Sequence, residues 1–170
     1  MLGRTLSVFL LLALAAPAAR AFDLGGLTNK AGGAARDQAV KKVNAKLLAE
    51  GHKDQCSFKT DTDELAPGCD KKLKKLAGTL VDVKKQLKVS GVTSFKFVVS
   101  GHTDSSGKPE HNKELSGRRA AVIARELVAR GIAPNEIISV GMGAEQPLVS
   151  PDNTPAKKAK NRRYEIQVKF

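Results

Sequence analysis

Phe95-Lys96-Phe97-Val98-Val99-Ser100, running into Gly101-His102-Thr103-Asp104-Ser105-Ser106-Gly107, decides how this chain folds, because its character changes at Ser100. Before that point Phe95, Phe97 and Val99 alternate with Ser94, Lys96 and Val98, the two-residue period of a strand with one buried face. The small, polar residues that follow cannot build a core and read as a loop. A carboxylate on that loop, Asp104, is held by the strand behind it while facing solvent. Pro109 then suits the first turn of a helix, where its missing N–H costs nothing. Leu115, Val122, Ile123 and Leu127 mark the inward side of that helix, and Gly131 ends it.

Downstream, Pro134-Asn135-Glu136 makes a turn into a strand over 137–140. Thr154-Pro155 gives an N-cap and first-turn signal for a short helix through Lys160, and Tyr164, Ile166 and Val168 alternate in a final strand. Upstream, Leu73, Leu76, Leu80, Val83 and Leu87 recur at helical spacing, with lysines 71, 72, 74, 75, 84 and 85 mainly on the other side and Gly91 as the stop. A short strand over 55–59 and a polar loop over 60–68 precede it. Before these, Ala39, Val40, Val43 and Leu47 predict a helix over 34–50, with Lys41, Lys42 and Lys46 exposed and Gly51 as its stop; residues 22–33 read as a Gly-rich, flexible lead-in. The predicted class is α+β in the order β-α-β-α-β-(α)-β, a four-stranded sheet with two long helices covering one face.

The chain has 170 residues, 41% hydrophobic and 27% charged, a balance that excludes a wholly disordered chain and a polytopic membrane protein. With 4% aromatics and no Trp, the core must be built from Leu, Val, Ile, Ala and six Phe. The first 21 residues are expected to be a cleaved signal peptide: Arg4 is its positive end, residues 8–14 its apolar run, and Ala19-Arg20-Ala21 its cleavage site. Pro17 and Arg20 break that run short of the roughly 20 residues a span requires, and the mature chain is expected to hold no transmembrane segment. Removing Arg4 and Arg20 lowers the net charge only from +12 to +10. In an oxidising compartment Cys56 and Cys69 are expected to pair, closing a loop worth roughly 3 kcal/mol.

A catalytic reading is unsupported. His102, Asp104 and Ser106 lie within one loop, whose spacing does not meet triad geometry, and neither cysteine has a nucleophile's context. His52, His102 and His111 lack metal-ligand spacing, so no metal and no cofactor are expected. Binding is better supported. Asn112 and Arg119 are seven residues apart and return to nearly the same helix face, Asn112 towards the Asp104 loop and Arg119 with a long reach. A carboxylate facing a guanidinium suits a zwitterion, the Asp taking its ammonium and the Arg forking its carboxylate. On spacing alone, a structural Asp–Arg pair tying loop to helix is the favoured reading, because such pairs are common.

Ser100-Gly101-His102-Thr103-Asp104-Ser105-Ser106-Gly107, then Asn112, then Leu115-Ser116-Gly117-Arg118-Arg119-Ala120, resembles the signature of the OmpA-like domain. Gly131-Ile132, Gly141-Met142-Gly143, Gln146-Pro147 and Asn161-Arg162-Arg163-Tyr164-Glu165-Ile166 follow in matching order, and the resemblance covers residues 54–170. It implies a mixed sheet under two helices and a non-enzymatic domain that binds peptidoglycan through the diaminopimelate of its stem peptide. Asp104 and Arg119 would contact the free amino-acid end, with Thr103, Asn112, Arg162 and Arg163 bordering the pocket. The family usually has Gly-Arg where this chain has Lys157-Lys158, which changes one pocket wall. A periplasmic protein associated with the cell wall or outer membrane is the implied setting.

From Asn153 to Phe170 there are six Lys or Arg and one acid, Glu165, so anionic envelope lipids or other envelope proteins are further candidate partners. Nucleic acid is not expected, given export and the lack of aromatics among the basic residues. The alternative function is a protein-interaction module whose pocket has drifted and whose basic face docks on an acidic partner.

Overall fold

A computed structural model describes the backbone of residues 24–59 and 61–170, and side chains from Gly33 onward apart from Thr60. The expected signal peptide lies outside the described residues. Helices α1 (Leu24–Lys53), α2 (Cys69–Val89), α3 (Pro109–Val128) and α4 (Pro155–Asn161) surround strands β1 (Lys96–Gly101), β2 (Ile137–Gly141) and β3 (Tyr164–Lys169). β1 is central, pairing parallel with β2, Phe97 opposite Ile137, and antiparallel with β3, Val99 opposite Ile166. No described helix is long and apolar enough to cross a membrane.

The helical periods behave as read. Leu73, Leu76, Leu80, Val83 and Leu87 of α2 are buried, as are Leu115, Ile123 and Leu127 of α3, while Val122 is half-buried. The α2 residues, with Ile123 and Leu127 of α3, join Phe97 and Val99 of β1, Ile137 of β2, and Tyr164, Ile166 and Val168 of β3 in one core. Thr154 caps α4, its hydroxyl accepting from the Lys157 N–H.

Two expectations are corrected. First, the lead-in is helical from Leu24, and α1 runs past Gly51 to Lys53. Once Val40, Val43 and Leu47 dock in the core, a helix extends upstream without a new nucleation step, even through glycines that cost about 1 kcal/mol each. Gly51 does not adopt the positive φ of a helix stop. Second, the sheet has three strands among the described residues, where four were expected. Phe58 makes only an isolated bridge to Leu65, because side-chain amides take the edge of β3 where a fourth strand would pair. Asn44 of α1 donates to Val168 O at 3.1 Å and accepts from Val168 N at 2.7 Å; Gln55 does the same for Tyr164, at 2.8 and 3.1 Å. Helix α1 therefore lies along the edge that a strand was expected to occupy. The expected Cys56–Cys69 bond is not formed in the structure, where both are free, buried thiols. Each sulfur rests on a backbone carbonyl, Cys56 Sγ on Cys69 O at 3.7 Å and Cys69 Sγ on Ser57 O at 3.8 Å. Burial, reinforced by Cys69, pushes the Cys56 thiol up to about 12.

Two glycines set the distance between α3 and the sheet. A Cβ on Gly101 would stand 2.2 Å from Ser116 O, and one on Gly141 would stand 2.4 Å from Lys113 O and 2.6 Å from Gly117 N. Only bare backbone lets α3 cross the ends of β1 and β2 this closely. That approach brings the first turns of α3 beside the loop that leaves β1.

Candidate binding cleft

The loop after β1 is pinned from every side. His102 N donates to Arg163 O at 2.8 Å and Thr103 N to Gly143 O at 2.9 Å. The Asp104 carboxylate turns back on its own loop, its Oδ1 accepting from Ser106 N at 2.9 Å. From α3, Asn112 Nδ2 donates to Ser106 O at 2.7 Å. From the far side Asp152 accepts both the N–H and the hydroxyl of Ser105. Asn161 in turn holds Asp152 at 3.0 Å and closes the 148–149 turn with three further bonds. The Ser105 and Asn161 bonds hold the Asp152 carboxyl down to about 2.

Asp104, Arg119, Asn112, Thr103, Arg162 and Arg163 all line one cleft, together with Phe58, Asp61, His102 and His111. Their roles divide. Asp104, 8% exposed, pairs not with Arg119 but with Arg162, whose Nη1 stands 2.6 Å from Oδ2. Burial alone would raise this carboxyl; the Arg162 and Ser106 bonds outweigh it and hold it below the usual range. Arg119 lies with its guanidinium carbon 5.1 Å from the centre of the Phe58 ring. Its Nε donates to Thr62 O at 2.8 Å and its Nη2 to Lys59 O at 3.3 Å, while Nη1 makes no hydrogen bond among the described residues. The loop that supplies those carbonyls turns at Asp61, with φ at 55°, a left-handed conformation that Asp tolerates. The structural Asp104–Arg119 pair that spacing also allowed is therefore absent. Arg163 borders the cleft, but its guanidinium is taken by Glu165 at 2.7 Å and by Gln146 O at 3.2 Å, which makes it a brace for β3 rather than a free donor.

Sequence reasoning missed several members. The resemblance takes in Phe58 as part of an opening strand but gives it no place under Arg119, and the carbonyls of Lys59 and Thr62 carry no motif. His102 stands in the signature, but neither the triad nor the metal reading gives it a role. In the structure its ring is 2% exposed with both nitrogens unpartnered, and burial followed by the Arg163 charge lowers its pKa to about 4. Ser106 Oγ accepts from Lys158 Nζ at 2.7 Å and neither His102 nitrogen has a partner, so His102, Asp104 and Ser106 do not form a triad.

The cleft retains capacity for a dipolar ligand. Each Asp104 oxygen accepts one bond and has a second lone pair open, and Arg119 and Arg162 keep unused N–H donors. An α+β domain with a charge-lined cleft at the end of its central strand is the class that fold and site define. The chain belongs to the OmpA family, whose model matches residues 57–162. Among curated relatives, it is 41% identical over 81 residues to the peptidoglycan-binding protein ArfA of Mycobacterium tuberculosis, which covers 48% of this chain and 24% of ArfA. It is 37% identical over 83 residues to the peptidoglycan-associated lipoprotein of Pseudomonas aeruginosa, covering 49% of this chain and 47% of the lipoprotein. The chain thus matches less than half the length of either relative. The fold is that of the crystallised C-terminal domain of Helicobacter pylori MotB, at a TM-score of 0.56 and 22% identity over 67% of this chain and 82% of that one.

Proposed function

We propose that this domain binds peptidoglycan non-covalently, gripping the free amino-acid end of a stem-peptide diaminopimelate, and carries out no chemical step on it. One observation carries the reading: the carboxylate of Asp104 and the guanidinium of Arg119, from separate elements, face one cleft without being bonded to each other. An ammonium fits the open lone pairs of Asp104, and a carboxylate fits the spare N–H groups of Arg119 and Arg162. Asn112 keeps the Asp104 loop in shape rather than reaching outward. Relatives named for peptidoglycan binding and peptidoglycan association support the wall as the partner. We place the protein in the periplasm, exported by a signal over residues 1–21.

Co-sedimentation with purified sacculi, with and without free diaminopimelate, tests this. Wild type is expected to pellet and to be released by the amino acid. Asp104→Asn, which keeps the turn acceptor but removes the charge, is expected to lose binding by about tenfold or more. Arg119→Ala is less clean, since it also frees the loop carbonyls of Lys59 and Thr62. Equal pelleting by wild type and Asp104→Asn, unaffected by diaminopimelate, overturns the reading.

A further inference from the structure

Beside the cleft runs a second groove, lined by Thr103, Ser105, Pro147, Ser150, Asp152 and Lys158. We propose that it is a subsite for a second carboxylate of the same ligand, with Lys158 as its cation, so that the domain distinguishes free from amidated stem peptides. The proposal rests on the peptidoglycan reading above. Thr103 lines both cleft and groove, so the two are neighbours across a single residue. Its Oγ1 is buried, in a residue 5% exposed, and has no hydrogen-bond partner, a costly state for a hydroxyl unless a ligand or water completes it. Lys158 bonds only the neutral hydroxyl of Ser106, at 2.7 Å, and stands in no ion pair among the described residues. The groove's own carboxylate, Asp152, already accepts three bonds, from Ser105 N, Ser105 Oγ and Asn161 Nδ2. The groove's uncommitted charge is the Lys158 ammonium, and a group made only of acceptors satisfies it.

The ligand chemistry supplies such a group next to diaminopimelate. The glutamyl unit that precedes it is joined through its side chain, which leaves the main-chain carboxyl as a branch, either ionised or amidated. A carboxylate there sets a full charge against the Lys158 ammonium and accepts from the Thr103 hydroxyl; a carboxamide offers Lys158 only a neutral oxygen.

Isothermal titration with two synthetic stem tripeptides ending in diaminopimelate, identical except that one glutamyl carboxyl is amidated, provides the test. Wild type is expected to prefer the free acid by roughly fivefold or more. Lys158→Gln is expected to bring that ratio to within about twofold of unity, and Lys158→Arg to preserve it. The ratio is read on one folded population, so a partial loss of folding does not disturb it. Equal affinity of wild type for the two peptides, or a preference that survives Lys158→Gln, overturns the subsite while leaving the diaminopimelate reading intact. Failure of both peptides and of free diaminopimelate to bind wild type overturns the two together.

Discussion

His102 shows what a single buried side chain does to the pH response. Burial, then the Arg163 charge, lowers its pKa from 6.5 to about 4, so the native ring is neutral at pH 7. As pH falls through 6.5 the unfolded chain takes up a proton that the native ring refuses until about pH 4. Stability is therefore full above that window and declines across it, by up to about 3 kcal/mol. Asp104 and Asp152 have carboxyls held below their ordinary 3.8, and their contribution is lost only at more acid pH. Urea melts between pH 7 and pH 4.5 are expected to show the decline, and His102→Gln to flatten it; a wild-type curve level across that range contradicts the buried neutral ring. Cys56 offers a second check at this scale. With its thiol pushed up to about 12, native protein at pH 8 is expected to resist alkylation at Cys56 and to become reactive in denaturant.

Among the elements, what was legible follows from whether a signal is local. The 3.6-residue period of Leu73 to Leu87, the Pro109 start and the Thr154 cap depend on nearby residues, and each element they marked is present. The pairing of 55–59 depends on which group reaches the edge of β3 first, and that is settled by Asn44, more than a hundred residues away in sequence. The site divides in the same way. Asn112 and Arg119 share a helix face because seven residues make two turns, but the partner of Asp104 turned out to be Arg162, brought in by the fold across 58 positions. Two substitutions test the tertiary devices. Asn44→Leu removes a donor and an acceptor from the Val168 backbone and is expected to cost about 1–3 kcal/mol in chemical denaturation. Gly141→Ala drives a methyl into the Lys113 carbonyl, and a loss of about 1–3 kcal/mol is expected, with weaker sacculus binding because α3 must move away from the Asp104 loop.

At the scale of the molecule, the segment that matches the family, residues 57–162, is not the whole folding unit. Helix α1 and the whole of β3 lie outside it, yet Val40, Val43 and Leu47 are buried in the same core as Leu80 and Ile166. Helix α1 also supplies the amide that closes one edge of the sheet, and an edge left open is a template for pairing with another chain. A chain beginning at residue 54 would expose the apolar surface beneath those three side chains. At about 1.5–3 kcal/mol for each large side chain, the loss rivals the whole stability of a small domain. The shortened chain is expected to melt well below the full one and to elute as dimers or larger species in size-exclusion chromatography. A truncated domain that stays monomeric with an unchanged melting temperature would mean that α1 is only a spacer and that β3 protects its own edge.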